Sequence, residues 1–264
     1  MRYKNICRGV FLSRPNRFIA IVEIDGQKET VHVKNTGRCR ELLVPGAEVW
    51  LSRSDNTARK TKNDLIAVRK NSSGLRARNG SEEKNGGVVT ARQSRLQGEN
   101  APEQGERLYS EPLGVLFNID SQAPNVVVGE WLEQQGFDRI VPEYRFGQSR
   151  IDFYMERSSE KYLLEVKGCT LERDGVGYFP DAPTERGTKH LRELLQASAK
   201  GYHAAVAFVM QADNMTTVLP NAETDPAFAA AFEDAKQAGV HILCLPCHVE
   251  PDRLEIAGGV RYPC

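Results

Sequence analysis

The strongest constraint on the fold is a series of short strand-like segments, separated by turns, near the start of the chain. These segments are residues 10–12, 18–24, 30–33, 48–51 and 65–68. Asp25-Gly26 joins two of them and favours a tight hairpin, and Val44-Pro45-Gly46 indicates another turn. Four or five short strands in about seventy residues are typical of a small barrel such as an OB-fold. Barrels of this kind often bind nucleic acid on one open face.

The composition changes after the last of these segments. Residues 72–111 are rich in Gly, Ser, Asn, Gln and Glu and contain almost no large apolar side chain. Such a stretch cannot build a packed core, so it indicates an insert or linker between two domains. We therefore predict an OB-fold-like nucleic-acid-binding domain over residues 1–75, a polar insert over 76–111 and a second domain over 112–264.

The second domain reads as alternating helices and strands. A strand at 115–119 precedes a helix that Asn125 would cap and Gly136 would end. Three strands follow at 140–146, 151–155 and 162–167. Next come a helix capped by Thr188, a buried strand at 204–210, a helix opened by Asp225-Pro226 and a last strong strand at 240–245. The predicted order is α-βββ-α-β with an α-β extension.

Two neighbouring strands of this domain carry a possible catalytic group. Asp152 lies on one strand, and Glu165 and Lys167 lie on the next, where alternate residues point to the same face. Antiparallel pairing would place Asp152 beside Glu165. Two carboxylates hold a hard divalent ion such as Mg²⁺ or Mn²⁺, and Lys167 would stabilise charge that develops on a phosphate. The alternative is a solvated strand face with a salt bridge.

Two further elements extend this hypothesis. Glu130 lies at the edge of the apolar stripe of the preceding helix and is placed to be a third carboxylate. Arg186 and Lys189 lie at the start of the helix that follows, where backbone N–H groups favour phosphate. Helix capping with a surface ion pair is the alternative explanation for these two side chains.

The charge is unevenly distributed along the chain although the net charge is zero. Residues 1–80 hold 17 basic and 7 acidic side chains, and residues 81–264 hold 18 and 28. Such asymmetry favours a polyanion as partner of the first half, with a solvated basic face as the alternative. The candidate contacts to a nucleic-acid backbone are Arg14, Arg17, Lys34, Arg38, Arg40, Arg59, Lys60 and Lys62.

Other sequence signals exclude some classes of protein. No run of eighteen apolar residues occurs, and the N-terminus has no secretory signal, so we expect a cytoplasmic protein. Cys244, Cys247 and His248 match a C-x-x-C-H pattern used for haem attachment. A zinc site would need two more ligands, and Cys244 ends an apolar run, so a core position is the competing interpretation.

Several strings taken together resemble the sugar fermentation stimulation protein A family. They are Asn16-Arg-Phe-Ile-Ala, His32-Val-Lys-Asn-Thr-Gly-Arg, Pro45-Gly, Arg59-Lys-Thr, Ser149-Arg-Ile-Asp-Phe, Glu165-Val-Lys and residues 179–191. The resemblance implies an OB-fold domain followed by a PD-(D/E)XK nuclease-like domain, and DNA binding with weak sequence preference. It also implies that Asp152, Glu165 and Lys167 match the nuclease signature and Glu130 its helix carboxylate.

Three functions are compatible with these features. The first is a Mg²⁺-dependent nuclease that hydrolyses phosphodiesters in DNA or RNA. The second is a non-catalytic regulator that binds DNA without sequence preference and acts on genes of sugar metabolism, notably maltose use, as the family name suggests. The third is a binding module whose acidic half contacts another protein. All three use the basic first half.

Overall fold

The computed structural model describes residues 1–35, 37–56, 58–71 and 114–262. The predicted insert at 76–111 lies outside these residues. Within the described part of the chain, no helix combines the length and the apolar character needed to cross a membrane.

The first part of the chain forms a closed five-stranded barrel. Its strands are β1 (Ile6–Asn16), β2 (Ile19–Ile24), β3 (Gln27–Val33), β4 (Glu48–Arg53) and β5 (Asn63–Lys70). The order is β3-β2-β1-β4-β5, and a parallel pairing of β3 with β5 closes the barrel. This arrangement confirms the OB-fold predicted from the turns.

Local sequence explains the hairpin between β2 and β3. Alternate residues Ala20, Val22 and Ile24 are buried in the barrel while their neighbours are partly exposed, which is the period of a half-buried strand. Asp25 and Gly26 both have positive φ, 50° and 77°, as a two-residue type I′ turn requires.

A sixth strand joins the barrel sheet from beyond the insert. β6 (Val115–Asn118) pairs antiparallel with β5, although the sequence assigned this segment to the second domain. From β6 the chain also reaches the second part, because the Asn118 N–H donates to the Gln211 carbonyl at 2.9 Å. The predicted domain boundaries stay a prediction, but β6 itself is shared by the two halves.

The second part is a mixed α/β unit. Its elements are α1 (Ala123–Leu132), β7 (Arg139–Phe146), β8 (Ser149–Arg157), β9 (Glu160–Cys169), β10 (Glu172–Arg173), β11 (Val176–Phe179), α2 (Glu185–Ala199), β12 (His203–Met210), β13 (Thr217–Pro220), α3 (Pro226–Gln237), β14 (His241–Glu250) and β15 (Arg253–Ile256). The main sheet has the order β15-β14-β12-β9-β8-β7, and β10, β11 and β13 form a small second sheet. The predicted α-βββ-α-β order with its extension is confirmed, with β10 and β11 added after β9, β13 before α3 and β15 at the end.

The main sheet separates two layers of apolar side chains. On one face, α1 packs through Val127 and Val128. On the other face, α2 packs through Leu191 and Leu194, and α3 through Phe228 and neighbouring residues. Both faces of the central strands are therefore covered, which explains their near-continuous apolar sequence.

Two predicted helix caps are wrong, and one is confirmed. Asn125 lies inside the first turn of α1 instead of capping it. The N-cap of α2 is Thr184, whose hydroxyl accepts the Gly187 N–H at 3.0 Å, so Thr188 lies one turn inside the helix. Asp225 caps α3 as predicted and accepts the Phe228 N–H at 2.9 Å.

The C-x-x-C-H pattern lies within β14. Cys244 and Cys247 are both buried free thiols, and they are three residues apart in a strand, so they point to opposite faces. Cys244 packs in the layer of α2 and α3, and Cys247 packs in the layer of α1. Both cysteines therefore pack in the hydrophobic core, and their sulfurs do not converge on one ligand.

Candidate functional site

The main sheet is irregular at Asp152. The antiparallel ladder between β8 and β9 runs as far as Phe153 and Leu164 and then stops. The ladder between β7 and β8 also skips one residue on each strand, Glu143 and Asp152, and Glu143 has a positive φ of 54°. Beyond this point the Asp152 carboxylate takes the place of a backbone acceptor, since its Oδ2 accepts the Val166 N–H at 2.7 Å. The two strands therefore separate around one carboxylate.

Glu165, on β9, lies beside Asp152 of β8 and is almost completely buried, with 2% of its surface exposed. Its Oε1 accepts hydrogen bonds from Lys167 Nζ at 2.5 Å and from Nδ1 of His190. Its Oε2 is buried and has no hydrogen-bond partner among the described residues. The structure thus brings together the three predicted residues of the two strands.

The ionisation of the two carboxyl groups differs because their surroundings differ. Burial and the negative charge of Glu165 raise the pKa of Asp152, against the opposing effect of the Val166 N–H. Burial alone would also raise the pKa of Glu165. The hydrogen bond from His190 and the charge of Lys167 outweigh that effect and hold the pKa of Glu165 below its usual value.

His190 was not assigned a role from the sequence. It lies on the buried face of α2, next to Leu191, and Arg186 Nε approaches its Nε2 at 3.5 Å. Because an ionised carboxylate only accepts hydrogen bonds, the contact between Nδ1 and Glu165 assigns the donating proton to Nδ1. A histidine within the apolar stripe of a helix was the signal available in the sequence.

Asn125 is the second residue that sequence reasoning missed. From the first turn of α1 its Nδ2 donates to Asp152 Oδ1 at 2.8 Å. Together with the Val166 N–H, this bond fixes both oxygens of Asp152. The carboxylate is therefore held in one orientation by two separate elements.

Glu130 does not join this group, which corrects the prediction of a third carboxylate on the helix. Its Oε2 accepts from the amino group of Met1 at 2.6 Å, and half of its side chain is exposed. Five residues separate Glu130 from Asn125, which is about 140° around an α-helix. When Asn125 faces Asp152, Glu130 therefore faces away.

Asp152 and Glu165 are the predicted site residues able to hold a metal. No group of three His, Cys, Asp or Glu side chains suited to a metal occurs in the described part of the chain. The donor set nevertheless fits a hard cation, because it is made of carboxylate oxygens and one of them, Glu165 Oε2, is buried without a partner. A cation such as Mg²⁺ uses few protein ligands and keeps several waters.

Three of the predicted nucleic-acid contacts have hydrogen-bond partners within the protein. Arg14 donates to the carbonyl oxygens of four residues of neighbouring loops, namely Arg17, Asn35, Gly37 and Arg38. Lys34 pairs with buried Asp120 at 2.7 Å. Arg59 forms a two-bond pair with Asp64. These cations have protein oxygens as partners where the sequence suggested phosphate.

The other predicted basic residues are exposed. They are Arg17, Arg38, Arg40, Lys60, Lys62, Arg186 and Lys189. Arg186 and Lys189 line a surface pocket of about 460 Å³ together with Arg150, Ser149, Glu185 and His190. This pocket therefore leads from a basic surface to the histidine that binds Glu165.

A second pocket, of about 180 Å³, lies between the barrel and the α/β unit. Asn35 and Gly37 from the barrel line one side, and Gly168, which follows Lys167, lines the other. Asp181 also lines it, and its Oδ2 accepts the Arg38 N–H at 2.9 Å. The barrel loop that contains Gly37 and Arg38 thus contacts the α/β unit next to the strand that carries Glu165.

Comparisons with known proteins cover nearly the whole chain. Residues 12–75 match the model of the "SfsA N-terminal OB domain", and residues 122–253 match that of the "Sugar fermentation stimulation protein RE domain". A sugar fermentation stimulation protein homolog of Desulfitobacterium hafniense is 47% identical over 97% of this chain and 95% of its own length. A homolog of the same description from Ruminiclostridium cellulolyticum is 42% identical over 97% and 96%.

A solved structure supports the fold. The structure of Pyrococcus furiosus SfsA in complex with Ca²⁺ superimposes with a TM-score of 0.73 and covers 98% of this chain and 96% of that one. The sequence identity is 24%, so this likeness concerns the architecture. Both halves, the barrel and the α/β unit, therefore occur in that arrangement in an experimentally solved relative.

Proposed function

The chain belongs to the sugar fermentation stimulation protein family, and we propose that it is a divalent-cation-dependent nuclease that hydrolyses phosphodiester bonds in DNA or RNA. The observation that carries this proposal is the partnerless, buried Oε2 of Glu165 beside Asp152 and Lys167. A buried acceptor without a partner costs free energy, and a bound cation would satisfy it.

The side chains of this site have different proposed roles in catalysis. Asp152 and Glu165 would hold Mg²⁺ or Mn²⁺, which when bound polarises the phosphodiester and lowers the pKa of a water molecule. Lys167, whose Nζ lies 2.5 Å from Glu165 Oε1, would stabilise the negative charge that develops on the phosphate. The solved Pyrococcus furiosus relative is described in complex with Ca²⁺, which is in keeping with a divalent cation as cofactor.

Three residues position these groups without contacting the substrate. Asn125 and the Val166 N–H fix the two oxygens of Asp152. His190 holds Oε1 of Glu165, while the other oxygen, Oε2, has no protein donor. Positioning of this kind matters because a displacement of about 1 Å in a reacting group costs roughly 100-fold in rate.

The exposed cations would hold the backbone of the nucleic acid. Arg186 and Lys189 lie at the pocket that leads to His190, and Arg38 and Arg40 lie on the barrel loop that contacts the α/β unit. Contacts of this kind bind phosphate without reading base sequence, and they weaken as salt increases. The proposed partner is therefore DNA, or RNA, with weak sequence preference.

The test is cleavage of labelled single- and double-stranded DNA and RNA by purified protein with Mg²⁺, with Mn²⁺ and with chelator. Asp152→Asn and Lys167→Met should each lower metal-dependent cleavage by at least about 100-fold. Glu133→Gln, an exposed carboxylate at the end of α1, is the matched control and should keep full activity. Cleavage that persists in chelator, or equally in Asp152→Asn, would contradict the proposal.

One observation favours a second function, that of a regulator that binds DNA without cleaving it. Both oxygens of Asp152 already accept protein donors, and Lys167 is already paired with Glu165. Asp152 and Lys167 are therefore paired without a cation or a phosphate, and these two side chains could serve the scaffold alone. Binding with no cleavage of any substrate under either metal would support this second function.

A further inference from the structure

We propose that Phe18 on the barrel is a platform on which an unpaired base stacks, and that the chain consequently prefers single-stranded nucleic acid. This inference rests on the proposed function for the nature of the ligand. It goes further by naming the strandedness of the substrate and a contact residue outside the catalytic group.

Phe18 is unusual among the aromatic residues of the barrel. It lies at the tip of the hairpin between β1 and β2, and 45% of its surface is exposed. Leaving a large apolar ring in water forgoes the free energy of its burial. A single exposed ring is common on protein surfaces, so here it is the cations beside the ring that indicate a partner. Every base presents an aromatic face to such a ring, whereas paired bases in a duplex are already stacked on each other.

Hydrogen bonds hold the backbone of the tip in place, so this backbone does not need to be ordered on binding. The side-chain Oδ1 of Asn16 accepts the N–H groups of Phe18 at 2.9 Å and Ile19 at 3.1 Å. Arg14 donates to the Arg17 carbonyl and to the carbonyls of Asn35, Gly37 and Arg38. A preorganised contact loses less conformational entropy when the ligand arrives.

The surroundings of Phe18 have the charge that a nucleic-acid strand needs. The Arg17 guanidinium lies 4.9 Å from the centre of the Phe18 ring, which places a cation against one side of the platform. Arg38 and Arg40 are exposed on the loop that Arg14 ties to the tip, and neither makes an ion pair within the described residues. An aromatic ring flanked by free cations matches a base and the phosphates on either side of it.

The same loop connects the platform with the proposed catalytic strand. Asn35 and Gly37 line the pocket between the two halves, and Gly168 on its far side directly follows Lys167. The Arg38 N–H also donates to Asp181 of the α/β unit. A strand held at Phe18 therefore lies on the barrel loop that meets the catalytic half, and its next nucleotides would run towards Glu165.

The experiment measures equilibrium binding of a labelled oligothymidine and of a duplex of equal length, in chelator so that nothing is cleaved. Phe18→Leu keeps an apolar side chain and removes the aromatic face. We expect it to weaken binding of the single strand by at least about fivefold, since one base–aromatic stack is lost, and to change duplex binding by less than about twofold. Phe18→Trp should restore single-strand binding.

Two controls make the result specific. Arg40→Gln should weaken binding of both ligands by the same factor, because a phosphate contact does not distinguish them. In Phe18→Trp, the single strand should quench more tryptophan fluorescence than in the wild type, whose Trp50 is buried and Trp131 partly buried. Unchanged single-strand binding by Phe18→Leu, or equal losses for both ligands, would overturn the proposal.

The outcome is independent of the nuclease proposal. A protein that cleaves nothing still shows the effect of Phe18 if the ring is a stacking platform. If substitution of Phe18 leaves nucleic-acid binding unchanged, the protein would still show metal-dependent cleavage if the proposed function is right. The two failures are therefore distinguishable within one set of purified variants.

Discussion

Replacing Lys34 by methionine distinguishes a nucleic-acid contact from a structural ion pair. The sequence indicated phosphate binding, but the structure pairs Lys34 Nζ with Asp120 Oδ2 at 2.7 Å, and Asp120 is completely buried. Asp120 also accepts from the Gln122 N–H at 2.9 Å and from the Tyr3 hydroxyl at 3.3 Å. Lys34→Met keeps the aliphatic part of the side chain and removes only the charge.

The expected loss follows from this geometry. Removing one partner of a buried ion pair costs about 3–5 kcal/mol, because the other charge is left without compensation. The loss at Lys34 should be smaller, since 22% of its side chain is exposed and Asp120 keeps its two other donors. We therefore expect the free energy of unfolding to fall by about 2–3 kcal/mol.

Urea unfolding followed by circular dichroism measures this loss. Lys60→Met is the matched control, because Lys60 is an exposed barrel lysine without an ion pair in the described structure, and it should cost less than about 0.5 kcal/mol. Adding Asp120→Asn to Lys34→Met should recover much of the loss, since the uncompensated charge is then gone. A Lys34 variant as stable as the Lys60 control would refute the structural role.

Two further predictions concern protons and metal. The Asp225 carboxylate accepts hydrogen bonds from the Thr184 and Phe228 N–H groups, and these bonds lower the pKa of Asp225 in the folded protein. The stabilisation that Asp225 gives is therefore fully present above its unfolded pKa of about 3.9. That stabilisation is lost as the pH falls through the folded pKa. Asp225→Asn, which still caps the helix, should therefore lose stability less steeply than the wild type when urea unfolding is compared from pH 5 to pH 3. Mg²⁺ at about ten times its Kd should stabilise the wild type by about 1.4 kcal/mol and raise Tm by about 3–6 °C in calorimetry. Asp152→Asn should show no such rise, and an equal rise in both proteins would place the cation elsewhere.

The barrel and the order of the second half were predictable because their signals are local. Asp25-Gly26 specifies a hairpin, and Asp225-Pro226 specifies a helix start, from side-chain and backbone preferences within a few residues. The pairing of β6 with β5 depends instead on which distant strand has a free edge. No pattern inside residues 115–118 carries that information.

The site shows the same division between local and tertiary information. The alternation of Glu165 and Lys167 along a strand predicted that they share a face, and the structure places them together. The direction of Glu130 was not readable, because three consecutive valines, residues 126–128, do not define a single apolar face of α1. The contact of His190 with Glu165 depends on the packing of α2 against β9, which no local sequence pattern indicates.

Arginine shows why charge alone does not identify a phosphate contact. The Arg14 guanidinium forms several hydrogen bonds with backbone carbonyls, and Arg38 on the loop it binds leaves its own guanidinium exposed. A carbonyl oxygen and a phosphate oxygen present similar acceptors to the planar donor group, so the sequence cannot distinguish the two uses. Tertiary structure decides which arginines remain for a ligand.

The buried carboxylate of Glu165 connects the stability of the fold with its proposed activity. Lys167 and His190 both bind Oε1, and together they keep the group ionised inside the protein. Neither reaches Oε2, so in the described structure the chain bears the cost of a buried oxygen without a donor, about 1–3 kcal/mol. A scaffold that served only for packing would gain stability from an apolar side chain at this position. The uncompensated oxygen is understandable if a cation binds there, and it is the physical reason to look for metal-dependent chemistry at this site first.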